Sequence, residues 1–234
     1  KSTLLKRIEC EIKTVDSLNQ RYEVLNFAEE QGSIHRLFDL FEEIIKVLSD
    51  LGYSGLPDTD SFQIPENYAE YARDLFGFIQ KAIREKGKKL VLLLDNIDKV
   101  FLNIKEDAQI FREILLNYDD LKIIGGSTRM SEHFWQYDLP FYQFFRILRL
   151  EALTTLEIKK LLMKWSEMLE NKEIEKFINS KPGQIEAIRI LTDGIPRTLQ
   201  FSLMILVNRP QQNGFDYIRR IMDIITPLYQ ERLH

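Results

Sequence analysis

Residues 89–101 read KLVLLLDNIDKVF, and this stretch constrains the chain more than any other. Leu90, Val91, Leu92, Leu93 and Leu94 run without a polar break into Asp95. A strand with one wet face would alternate. An unbroken apolar run needs cover on both faces, the condition of a central parallel strand between helices. An acid at the carboxyl end of such a strand lies where open α/β sheets bind ligands. A carboxylate there can hold a divalent cation, often through water, or can cap the helix that follows.

With 234 residues and 44% hydrophobic content, the chain can build one sizeable core and a smaller appended unit. The net charge of −4 gives no global basic field for nucleic acid, though a local patch is compatible with it. Cys10 stands alone, which excludes an internal disulfide and fits a reducing cytoplasm; it reads as a small buried hydrophobe. No apolar run approaches the roughly 20 residues of a membrane span.

In chain order, Lys1-Ser2-Thr3 opens into a helical LLKRIECEI. Residues 22–28, YEVLNFA, read as a strand ending in Glu29 and Glu30. Ser33 is placed to cap a helix over 35–51, with Leu37, Leu40, Phe41, Ile44, Ile45 and Leu48 on one face. Residues 52–65 are loop by composition. A helix over 66–85 carries Tyr68, Tyr71, Leu75, Phe78 and Ile79, which read as core. A basic turn, Gly87-Lys88-Lys89, enters the central strand. A helix over 105–117 turns Ile110, Phe111, Ile114 and Leu115 inward. Residues 121–126, LKIIGG, form a short strand ending in Ser127-Thr128-Arg129. Residues 141–150 are a further strand candidate, with Arg146 and Arg149 toward solvent. Strands alternating with helices indicate a parallel doubly wound sheet whose strand tips share one edge.

From Glu151 onward every segment is helical: 154–170, 172–179, 183–192, 197–208 and 216–228. Thr154 and Glu157 have capping-box spacing. The expected division is therefore 1–150 and 151–234. Within the second part, Gly194 ends a helix and Pro196 starts the next. Arg197 then falls in a first turn, where cations are disfavoured. It reads as a residue awaiting an anion, or as a surface Arg that tolerates the cost. His35, His133 and His234 show no metal-ligand spacing, and His133 and Trp135 read as packing.

Four stretches, KST, LLLDNID, IIGGSTR and DGIPRTL, follow one another in an order that resembles P-loop ATPases of the AAA+ and STAND groups. The likeness is closest to prokaryotic ATPases related to origin-recognition-type initiators, and covers residues 1 to about 209. The resemblance implies an α/β P-loop NTPase parallel sheet with a C-terminal all-helical lid, binding ATP and Mg²⁺. Lys1 and Ser2, with Thr3 beside them, match the end of Walker A. The Lys would reach the β/γ-phosphates and the Ser hydroxyl would join Mg²⁺ at a helix N-terminus. The glycines and strand of that motif are expected ahead of Lys1. Asp95 matches the Walker B acid that holds Mg²⁺. Ser127 or Thr128 corresponds to sensor 1, and Arg129 to an Arg that reads the γ-phosphate. Pro196 and Arg197 correspond to the lid motif and to sensor 2.

One departure bears on rate. Many AAA+ ATPases carry Glu after the Walker B Asp, and here that position is Asn96. An amide cannot accept a proton, so slow turnover is expected. Asp98 could substitute only if the backbone turns after Asp95. The expectation is a cytoplasmic, ATP·Mg²⁺-binding switch of slow turnover, read by a protein partner or by self-association. Two rivals remain. A DNA-loading or DNA-remodelling ATPase of initiator type would need a basic module. A degenerate scaffold would use the fold for contacts alone.

Overall fold

The computed structural model describes residues 1–27, 34–59, 66–127, 139–180, 182–208 and 219. Glu29, Glu30, Ser33, Thr128, Arg129, His133, Trp135 and the helix expected over 216–228 (Arg219 apart) lie outside the described residues. The chain divides into two compact units, Lys1–Ile147 and Leu148–His234. None of the described helices is long and apolar enough to cross a membrane.

The first unit begins with α1 (Ser2–Thr14) and a single turn, α2 (Asp16–Asn19). Strand β1 (Tyr22–Phe27) follows, then α3 (Leu37–Asp50), α4 (Tyr68–Glu85) and β2 (Lys89–Asp95). The unit continues with α5 (Ile97–Asn103), a 3₁₀ turn (Lys105–Asp107), α6 (Ala108–Asn117) and β3 (Leu121–Gly126). The three strands form a parallel sheet in the order β1-β2-β3, so the apolar run lies at its centre.

Burial explains why β2 does not alternate. Val91 and Leu93 pack with Val24 against the α1 stripe of Leu5, Ile8 and Ile12. Leu90, Leu92 and Leu94 enter the larger core, built with α3, α4, α5 and α6. Each face is covered by helix, as two-sided burial requires. Cys10 is exposed rather than buried, because it falls off the α1 stripe.

All six residues expected on the inner face of α3 are buried. The Asp39 carboxylate accepts from the backbone N–H groups of His35 and Arg36, satisfying two amide groups at the start of the helix. Arg36 reaches across to the 3₁₀ turn. It donates to both oxygens of Asp107, at 2.8 and 2.7 Å, while the Leu37 N–H donates to the same carboxylate at 3.0 Å. Helix α4 starts on Asn67, whose side chain accepts from the Ala69 and Glu70 N–H groups. Its buried stripe is Ala72, Leu75, Phe76, Ile79, Ala82 and Ile83. Phe78 and Tyr68 are exposed, Tyr71 packs half-buried against the core, and Phe76 is buried.

Residues 141–150 are not a strand. They form turns and then irregular chain. Phe141, Phe144 and Phe145 are spaced by three and four, which suits turns better than a two-residue alternation. Phe141 stacks on Phe101 at 4.5 Å between ring centroids and meets Phe144 and Phe145 at 5.9 and 5.6 Å.

The described part of the second unit contains α7 (Thr155–Met168), α8 (Lys172–Ser180), α9 (Pro182–Leu191) and α10 (Pro196–Asn208). Ile158, Leu162, Ile174, Ile178, Ile185, Ile188 and Leu199 make its core. Thr154 caps α7: Glu157 accepts from the Thr154 N–H at 2.8 Å, and Thr154 Oγ1 accepts from the Glu157 N–H at 3.3 Å. Gly194 ends α9 with φ +61°, and a Cβ there would lie 2.6 Å from the Leu153 carbonyl. Both the left-handed backbone and the close approach require glycine.

Candidate functional site

Strand β2 delivers Asp95 to the carboxyl edge of the sheet. Asn96 then adopts φ 50°, ψ 45°, ending the strand and letting α5 begin at Ile97. Asn is among the few residues that enter this left-handed region at modest cost. Two glycines of β3 make room beside the turn. Gly126 pairs in register with Asp95; a Cβ on it would stand 3.1 Å from Asp95 Oδ1 and 3.2 Å from Lys1 Cβ. A Cβ on Gly125 would stand 2.8 Å from both Cβ and Cγ2 of Ile97. Their role was missed in the sequence reading; the paired glycines at a strand end were the available signal.

Lys1 and Ser2, at the start of α1, meet this edge. Lys1 Nζ donates to Asn96 Oδ1 at 2.6 Å and lies 3.4 Å from Asp95 Oδ1. The Ser2 hydroxyl donates to Asp95 Oδ2. The Asn96 N–H donates to Asp95 Oδ1 at 3.0 Å. Asp95 is 4% exposed. Burial pushes its carboxyl up, but the Ser2 hydroxyl, the Lys1 charge and the Asn96 N–H outweigh burial and hold it below its ordinary value. Asp95 is therefore an anion at neutral pH. Helix α1 is further fastened to β1, where Asn26 donates to Glu9 at 2.7 Å.

Four of the expected residues, Lys1, Ser2, Asp95 and Asn96, thus converge. Thr3 is exposed in the first turn of α1, whose leading N–H groups have no intrahelical acceptor. Ser127 is half-buried directly after β3. Pro196 and Arg197 are exposed in the first turn of α10, within the second unit. Asp98 lies in the first turn of α5. Its Oδ1 is sealed from solvent and has no hydrogen-bond partner among the described residues.

The described residues hold no cluster of three or more His, Cys, Asp or Glu side chains. Ser2 and Asp95 instead present a hydroxyl and a carboxylate oxygen in contact. Hard oxygen donors of this kind fit Mg²⁺, which takes few protein ligands and fills its shell with water and phosphate oxygens. With the Lys1 ammonium and the α1 N-terminus alongside, the arrangement has chemistry for an anion and a hard cation together. No family model, curated protein or solved structure matches the chain.

Proposed function

We propose that the chain is a P-loop-type domain that binds ATP with Mg²⁺ and acts as a slow nucleotide-dependent conformational switch. The observation that carries this reading is the meeting of Lys1 and Ser2, at a helix N-terminus, with Asp95, at the tip of the central parallel strand. In this reading Lys1 leaves Asp95 and Asn96 to take the β/γ-phosphates. Ser2 and Asp95 hold Mg²⁺, which when bound neutralises phosphate charge. Ser127, Thr128 and Arg129 follow β3 and serve the γ-phosphate. The second unit acts as a lid, with Arg197 as the group that senses the phosphates. Asn96 offers no general base, so turnover is slow and the ATP-bound state persists for a partner to read.

The test is titration of the full-length protein with a fluorescent ATP analogue, with and without Mg²⁺. Binding is expected, with affinity that falls on removing Mg²⁺. Lys1→Ala removes hydrogen bonds to a charged group, worth about 1.5–3 kcal/mol, so Kd should rise roughly tenfold to a hundredfold. Absence of binding would leave the fold as a scaffold for protein contacts.

A further inference from the structure

We infer that Asp98, not the residue directly after Asp95, is the carboxylate that orients and deprotonates the attacking water. This rests on the proposed ATPase reading. Three observations lead to it. First, Asn96 is committed elsewhere: its side-chain oxygen accepts from Lys1 at 2.6 Å, and its backbone makes the left-handed turn. Second, that turn ends β2 at Asp95, so the next acid in sequence starts a helix instead of continuing the strand. Ile97 sits hard against Gly125 at the end of β3, and the Lys99 N–H donates to the Asn96 carbonyl at 2.9 Å. The first turn of α5 is thereby pinned over the same sheet edge that carries Lys1, Ser2 and Asp95. Third, Asp98 Oδ1 is buried without a partner. A buried carboxylate oxygen left unsatisfied is costly. Groups that carry this cost in a folded protein are often those reserved for a ligand.

The step balances without a further reactant. The water oxygen bonds to the γ-phosphorus as the bond from that phosphorus to the β,γ-bridging oxygen breaks. ADP leaves with the bonding electrons, and the water proton passes to the Asp98 carboxylate and then to solvent. Asp98 lies two residues beyond the usual position for such an acid, in the first turn of a helix, in keeping with slow turnover.

The experiment compares the full-length wild-type protein with its Asp98→Asn, Asp98→Glu and Asp98→Ala variants, measuring ATP·Mg²⁺ affinity, single-turnover hydrolysis and melting temperature. Asp98→Asn preserves shape and removes the base. Hydrolysis should fall by about 10²–10⁴-fold, with affinity unchanged, and Asp98→Glu should recover part of the rate. An Asp98→Asn chain that hydrolyses like wild type overturns the inference, whether or not its melting temperature rises. So does a rate that falls only because ATP no longer binds. If Asp98→Ala fails to fold, the two isosteric or longer variants still decide. A wild-type chain that binds ATP·Mg²⁺ but is indifferent to Asp98→Asn refutes the assignment alone; one that binds no ATP·Mg²⁺ overturns the proposed function along with it.

Discussion

The Lys1 ammonium lies 2.6 Å from the side-chain oxygen of Asn96, across 95 positions of chain. The sequence reading gave Asn96 a negative role, the place where a base is lacking. The contact gives it a positive one: it holds the lysine that the proposed function sends to phosphate. Asn96→Glu supplies a carboxylate at that position and should raise single-turnover hydrolysis. A carboxylate at position 96 would pair with Lys1 and compete with phosphate. ATP affinity should fall by about tenfold to a hundredfold, with a loss that shrinks as salt is added. Glutamate also suits the left-handed backbone less well, so a melting temperature below wild type is expected. Equal affinities across a salt titration would contradict this account.

The fit of Gly125 against Ile97 is testable by packing alone. Gly125→Ala should destabilise the first unit by about 1–3 kcal/mol, the usual cost of overpacking. Ile97→Ala removes Cγ2 and the outer atoms but keeps the Ile97 Cβ, itself 2.8 Å from a new Cβ on Gly125, so it relieves part of the clash. The double variant should therefore be more stable than the sum of the single losses predicts. Denaturant melts of the four chains measure this, and strict additivity would mean that the two positions do not touch.

Asp107 gives a pH dependence of known sign. Burial pushes its carboxyl up, but the bidentate Arg36, the Leu37 N–H and the Arg36 charge win and set it below its ordinary value. A depressed folded pKa contributes stability that is present above the unfolded value of about 3.9. That contribution is lost as pH falls through the lower folded value. Asp107→Asn should cost about 1.5–3 kcal/mol at pH 7, because it removes the buried anion of Arg36 and leaves it only the exposed Glu106. The difference from wild type should narrow in acid. A gap that stays constant down to about pH 2 would remove Asp107 as the titrating group.

Arg197 is exposed in the first turn of α10, where a cation gains nothing from the helix. Arg197→Ala should leave melting in the absence of nucleotide unchanged. It should reduce the coupling between ATP binding and protection of the second unit from proteolysis by about 1–3 kcal/mol. Proteolysis that ATP slows equally in both chains would show that Arg197 does not sense the nucleotide.

What was legible in the sequence follows from how local each signal is. The unbroken run of β2 and the inward face of α3 are matters of periodicity, and both read directly. Thr154 and Gly194 are set by their neighbours, and they too read directly. The strand expected over 141–150 fails because its phenylalanines answer to Phe101 and Phe111, far away in the chain. Phe78 and Cys10 were misplaced because the buried stripes of α4 and α1 are narrower than the apolar residues available to fill them. The tie between Lys1 and Asn96 depends on a single left-handed residue, and no pattern in the sequence announces that.

The two-faced burial of β2 also decides which length changes this chain can absorb. Val91 and Leu93 fill one core, and Leu90, Leu92 and Leu94 the other. One codon inserted or deleted between them would exchange the two sets. It would also carry Asp95 past or short of Gly126, its neighbour in β3. The packing of both faces and the placement of Asp95 at the carboxyl edge would be lost together.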